Sequence, residues 1–269
     1  MKKGMHFICS IAVTLSLLLA GSYANAQNAD SDFIPTSGQY GKDVVWVPTP
    51  QELVDTMLTM AKVTPVDYVI DLGSGDGRLV ISAAKLGATA LGIEYDQNMV
   101  ELARRTAIEE GVASKATFEQ ADIFEYDFSK ATVVTLFLLE ELNLRLRPII
   151  LDMKPGTRIV SNSFTMDDWE SDQIENILGI GSWSTAYLWI VPAKVAGTWK
   201  LDEGQLAITQ NFQYISGTLT IGKKKVKLAG KLNGDKISFE AGGAEFSGTV
   251  SGNTMSGTRT GGGNWKAVR

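Results

Sequence analysis

Between residues 44 and 191 the chain alternates short apolar runs with amphipathic stretches. Tyr68–Leu72 and residues 90–94 read as short apolar strands, the first holding one acid, Asp71, and the second ending in Glu94, while residues 131–139 are continuous, β-branched and free of charge, the pattern of a buried central strand. Residues 79–86 repeat apolar positions at a helical period. Ahead of them Thr49, Pro50 and Glu52 read as a capping box with proline at the first helical position, opening a helix with Leu53, Met57, Met60 and Ala61 on one face. Asp96 is placed to cap a further helix whose stripe is Met99, Leu102, Ala103, Ala107 and Ile108, stopped by Gly111. Residues 116–121 and 157–161 supply two more strands, and Trp169 with residues 183–191 an antiparallel closing hairpin. Such an order predicts an α/β sheet with helices on both faces.

After Pro192 helix signals cease. Alternating segments from GTWKL at 197–201 to NWKAVR at 264–269 are joined by turns such as Asn233-Gly234 and Gly242-Gly243. The organisation expected is a first domain at 44–194 and a small all-β, barrel-like domain at 196–269. Lys223, Lys224, Lys225 and Lys227 lie together at one hairpin and read as a solvated edge.

The N-terminal end has a different pattern. Lys2 and Lys3, an apolar core over residues 7–20 and Ala24-Asn25-Ala26 form a secretory signal peptide pattern at 1–26, followed by a flexible lead at 27–43. This predicts an exported, periplasmic protein with no membrane span after cleavage, or an anchored one if the segment stays uncut. The one His of the chain, His6, and its one Cys, Cys9, fall inside that segment. A mature chain would therefore contain no Cys nucleophile, no Ser-His triad, no imidazole base, no Cys/His zinc site and no disulfide. A net charge of −5, without a basic run long enough to track phosphates, argues against a nucleic-acid partner.

The candidate chemistry lies in VIDLGSGDGRL, residues 69–79. Gly73, Gly75 and Gly77 stand between a strand and a helix, where backbone N–H groups face a ligand. The spacing is G-x-G-x-G rather than that of pyrophosphate binders, and Asp71 sits inside the strand. A carboxylate there repels a pyrophosphate and suits a ligand carrying an ammonium and a sulfonium. Glu94, ending the next strand, is placed to accept hydrogen bonds from ribose hydroxyls.

This string resembles motif I of the class I S-adenosylmethionine-dependent methyltransferases. The resemblance implies a Rossmann-like seven-stranded sheet and S-adenosylmethionine as cofactor. Asp71, Gly73, Ser74, Gly75, Asp76 and Gly77 would serve the methionine end and the turn, Glu94 the ribose, and Asp122, after the third strand, the adenine amino group. VPTP at 47–50 and the segment 133–164 resemble one branch of these enzymes, which includes the mitochondrial lysine methyltransferases of ATP synthase and adenine nucleotide translocase and their bacterial relatives. That implies contact of Thr49 with the cofactor and N-methylation of protein lysine. The chain departs from its bacterial relatives at Leu139-Glu140, where they tend to read Leu-Pro, and at Asn162 and Ser163, where they tend to carry His and Asp. Glu140, Glu141 and Asn143 follow the fourth strand at the crevice of the sheet and are the residues expected to orient the acceptor amine. A small-molecule acceptor, or a non-catalytic exported scaffold whose β domain binds the partner, are the other readings.

Overall fold

The computed structural model describes residues 33–179 and 181–269. The expected signal peptide, with His6 and Cys9, and residues 27–32 lie outside the described residues. The first part of the fold runs α1 (Gln51–Met60), β1 (Tyr68–Leu72), α2 (Arg78–Lys85), β2 (Thr89–Glu94), α3 (Gln97–Glu109), β3 (Ala116–Gln120) and β4 (Val133–Leu136). It continues with α4 (Glu140–Leu151), β5 (Arg158–Asn162), β6 (Gln173–Asn176) and β7 (Thr185–Ile190). The strands form one seven-stranded sheet in the order β3-β2-β1-β4-β5-β7-β6. β1 to β5 pair in parallel, and β7 runs antiparallel to both β5 and β6.

Strand periodicity sorts the core into two layers. Val69 packs with Leu53 and Met57 of α1, Leu79 and Val80 of α2 and Val100 of α3. Ile70 and Leu72 face the other way, onto Leu142, Leu146 and Ile150 of α4. The sheet is thus covered on both faces, which is why β4 lies in a stretch free of charge.

Three expectations need correction. The strand expected over 131–139 spans only Val133–Leu136, ending there because its neighbour β1 ends there too: Leu136 pairs with Leu72, and beyond Leu72 the chain turns at Gly73. Residues 137–139 therefore leave the sheet at its edge. Ile108 is 67% exposed and Leu102 only half-buried, and Val100 takes the core position instead. The capping box does not form. Pro50 itself is the N-cap of α1, its carbonyl accepting from Leu53 and Val54, and no side chain caps the helix. Asp96 does cap α3, accepting from the Asn98 amide.

The C-terminal strands are β8 (Gly197–Leu201), β9 (Gly204–Asn211), β10 (Tyr214–Ile221), β11 (Lys224–Asn233), β12 (Lys236–Ala241), β13 (Ala244–Ser251), β14 (Thr254–Arg259) and β15 (Asn264–Val268). They form a closed antiparallel barrel, β15 pairing with β8, so no strand edge is left open. Trp199, Leu206, Phe239, Phe246, Met255 and Trp265 fill its interior. The barrel docks beside β7: Phe212 stacks on Trp169 with ring centroids 5.8 Å apart, Lys231 pairs with Asp172 at 2.9 Å, and the buried Gln213 amide donates to the Glu170 carbonyl. Among the described residues no helix is long and apolar enough to cross a membrane.

Candidate functional site

Strand order reverses direction between β1 and β4, and a cleft opens over the C-terminal ends of β1, β2 and β4, where open α/β sheets hold ligands. The turn after β1 shapes its floor. Gly73 and Ser74 both donate to the Ile93 carbonyl, at 2.8 and 3.0 Å, and Gly77 donates to Ser74. This winds the chain tightly, with Gly73 and Gly75 at φ 81° and 53°. Gly73, Ser74 and Gly75 line the cleft, whereas Gly77 does not. A Cβ on Gly77 would stand 2.7 Å from the Phe118 ring and 2.8 Å from Ala103, so its absence lets α2 start against β3 and α3.

Of the six acids that line the cleft, Asp43, Asp71, Asp76, Glu94, Asp96 and Asp122, four are those expected to serve the cofactor or the turn: Asp71, Asp76, Glu94 and Asp122. Asp71 is buried and accepts from the Thr135 hydroxyl at 2.7 Å. Burial pushes its carboxyl up to about 7, against the Thr135 hydrogen bond and with the help of the nearby Glu94 and Asp76 charges. Glu94 accepts from the Gly75 amide with Oε2 and from the Tyr95 and Asp96 amides with Oε1, at 2.8–2.9 Å. One carboxylate thus ties the glycine turn to the loop after β2, with a lone pair of Oε2 left for a ligand. Asp76 is held by Arg78, whose Nε donates to both of its oxygens at 3.0 and 3.1 Å. Asp122 accepts from Lys42 and from the Phe124 amide, and both hold its carboxyl below the usual carboxylate range.

Residues 39–48 wall one side of the cleft. A bridge between Tyr40 and Val45 and the pairing of Gly38 and Gln39 with Trp46 fold them into a turn. Its Trp46 indole lies so close that a Cβ on Gly75 would meet Nε1 at 2.5 Å. Thr49 also lines the cleft, and its hydroxyl accepts from Asn162 at 3.2 Å. Sequence reasoning missed Lys42, Trp46 and Arg78. Their places depend on how the chain before α1 lies back over the glycine turn, which no local pattern encodes.

The cleft does not include Glu140, Glu141 or Asn143. Glu140 and Glu141 are exposed in the first turn of α4, and the Asn143 side chain is fully buried. Its amide donates to the Phe164 and Thr165 carbonyls at 3.3 and 3.1 Å, which orients that loop. Where these residues were expected to orient the acceptor, the cleft is walled by Phe137, Leu138, Leu139, Phe164 and Trp183. The signal that could have found these aromatic residues is their position at strand ends on one edge of the sheet.

The arrangement suits an elongated ligand. A cationic group fits the Asp71 end, a diol fits Glu94 and an amino-substituted heteroaromatic ring fits Asp122. Ser74 Oγ, buried at the cleft with no protein partner, adds a free hydrogen-bonding group. Next to the Asp71 end the wall turns apolar, and none of the described residues is a histidine or cysteine.

Comparison with known proteins agrees with this geometry. Residues 71–173 match a family described as the ANTKMT methyltransferase domain. The chain is 38% identical over 155 residues to a protein-lysine N-methyltransferase of Saccharolobus islandicus, covering 56% of this chain and 96% of that protein. It is 30% identical over 130 residues to the human ATP synthase c-subunit lysine N-methyltransferase, covering 48% of this chain and 55% of that protein. Among solved structures, an RNA methyltransferase from Salinibacter ruber in complex with S-adenosyl-L-homocysteine is 47% identical, with a TM-score of 0.53, covering 55% of this chain and 96% of that one.

Proposed function

The chain belongs to the S-adenosylmethionine-dependent methyltransferases that carry the ANTKMT methyltransferase domain, and we propose that the acceptor it methylates is a lysine side chain of a protein. The observation that carries this reading is the change in character along the cleft: acids and the unpartnered Ser74 hydroxyl around the glycine turn, then an apolar aromatic wall where the acceptor must enter.

The residues fit the cofactor. Asp71 would pair with its ammonium, Ser74 Oγ and the Gly73 and Gly75 backbone would hold the methionine end, Glu94 would accept from the ribose hydroxyls, and Asp122 would accept from the adenine amino group. Asp76 fixes Arg78, which in turn donates to the Thr49 carbonyl at 2.8 Å, so that pair steadies the turn against the segment above it. When bound, S-adenosylmethionine supplies an activated methyl group on a sulfonium, which leaves the protein little bond-making work. The chain must align the acceptor and exclude water. An amine arrives at neutral pH as an ammonium, and an apolar wall disfavours that charged form, releasing the proton to solvent without a dedicated base. This accords with a cleft that contains no imidazole or thiol. The similarity to lysine methyltransferases supports the same choice.

The test is incubation of the chain with methyl-labelled S-adenosylmethionine and a protein and RNA extract. Label recovered in methyllysine after hydrolysis is the expected result. Label in RNA alone, or in small molecules alone, would overturn the lysine assignment. We also infer export, on the strength of Lys2, Lys3, the apolar run at 7–20 and Ala24-Asn25-Ala26. In fractionated cells the protein should be recovered from the periplasm with an N-terminus at Gln27, and recovery from the cytoplasmic fraction would contradict export.

A further inference from the structure

The apolar end of the cleft is more specific than a greasy wall. Phe137 directly follows β4, Phe164 lies two residues after β5, and Trp183 two residues before β7. Because β7 runs antiparallel to β5, all three strand ends meet at one edge of the sheet. Phe137 and Phe164 stack with centroids 6.1 Å apart, and Trp183 leans on both, at 5.7 and 5.4 Å. The rings are not core: Phe137 and Phe164 are half-buried and Trp183 is 38% exposed.

The backbone that aims Phe164 is strained. Ser163 holds φ 62°, a left-handed conformation that costs free energy for any residue but glycine. It is fixed there by several contacts. Its amide donates to Thr185 at 2.7 Å, its hydroxyl donates to Asn162 Oδ1 at 2.7 Å, and Asn162 donates to Thr49. Asn143 holds the carbonyls of Phe164 and Thr165 from the other side. Two fully buried asparagines therefore serve one surface-facing ring. Core packing gives no reason for this, since the ring they orient fills no interior.

We propose that Phe137, Phe164 and Trp183 form an aromatic collar that receives the acceptor side chain, packing on its alkyl chain while the unmethylated amine is neutral and gripping its ammonium group once that group carries methyls. The proposal rests on the lysine reading above. Ring faces carry negative charge density and attract cations, and an alkylated ammonium, being weakly hydrated, gives up less on entering. A collar of this kind keeps monomethyl and dimethyl lysine in place, each losing its ammonium proton to solvent before the next transfer, whereas a purely apolar funnel would release them.

The experiment is a titration of the full chain, saturated with S-adenosylhomocysteine, with n-butyltrimethylammonium and separately with n-butylammonium, followed by calorimetry. Saturable binding, tighter for the trimethylated probe and about tenfold weaker in Phe164→Leu and Trp183→Leu, is expected. Leucine keeps bulk and removes the π face, and a cooperative thermal unfolding transition like that of the wild type certifies that each variant is folded. Absence of saturable probe binding in the wild type, or binding unaltered in both variants, would overturn the collar. Collar-dependent probe binding in a protein that methylates no lysine would leave the collar standing and remove only the lysine reading. Where lysine is methylated, Trp183→Leu should shift the product distribution toward monomethyl lysine.

Discussion

At the scale of single residues, the site turns on carboxylates in unequal environments. Asp71 is buried with one hydroxyl for company and has its pKa pushed up to about 7, whereas Asp67, also buried, is held at about 2. For Asp67, burial alone would raise the value, but hydrogen bonds from Arg158, Thr132 and Thr64 outweigh it. The signs of the two pH effects are opposite. Asp67 contributes stability above the unfolded carboxylate value of about 4, and this is lost as pH falls toward 2. Asp71 makes the unliganded fold less stable as pH rises from about 4 toward 7. If its carboxylate receives the cofactor's ammonium, affinity for S-adenosylhomocysteine should rise about tenfold between roughly pH 6 and 8. Calorimetry should find that rise in the wild type and a flat profile in Asp71→Asn, and a flat wild-type profile would count against the pairing. Asp71 and Glu94 could be read in the sequence because a strand end and a turn fix where they point. The true surroundings of Asn143 could not, because helical position alone does not say that its amide meets the loop after β5.

At the scale of elements, the strands were legible and their ends less so. β1, β2 and β3 fall within a residue of their expected bounds, since apolar runs flanked by glycine or acids leave little choice. The fourth strand was overestimated because the apolar character of residues 137–139 belongs to the cleft rather than to the sheet. A similar confusion arises at α1. Thr49 and Glu52 have the sequence of a capping box, but the threonine hydroxyl is turned to Asn162. Two substitutions separate the alternatives. Glu52→Ala should alter stability by less than about 0.5 kcal/mol, as for an exposed side chain that caps nothing. Thr49→Val should cost about 1–2 kcal/mol by leaving a buried Asn162 donor without its partner. Urea denaturation measures both, and a large loss in Glu52→Ala would restore the capping box.

At the scale of the whole molecule, the barrel completes the fold without entering the cleft, since none of the cleft residues comes from β8–β15. Eight strands were legible after Pro192 from alternation and glycine turns. Their docking was not, because the stacking of Phe212 on Trp169 and the Lys231–Asp172 pair join positions far apart in the chain. Phe212→Ala should lower stability by about 2 kcal/mol in thermal or urea unfolding. It should leave cofactor affinity unaltered, and a large loss of affinity would mean that the barrel shapes the site after all. The central claim concerns the cleft itself, and its most direct test is a calorimetric titration of the chain with S-adenosylhomocysteine, in the wild type and in Glu94→Gln. Glu94 links the glycine turn to the loop after β2 and has a lone pair left for the ligand. Micromolar binding in the wild type, weakened about tenfold or more in the variant, is what the geometry predicts. No binding in the wild type, or equal binding in both proteins, would contradict the placement of the cofactor in this cleft.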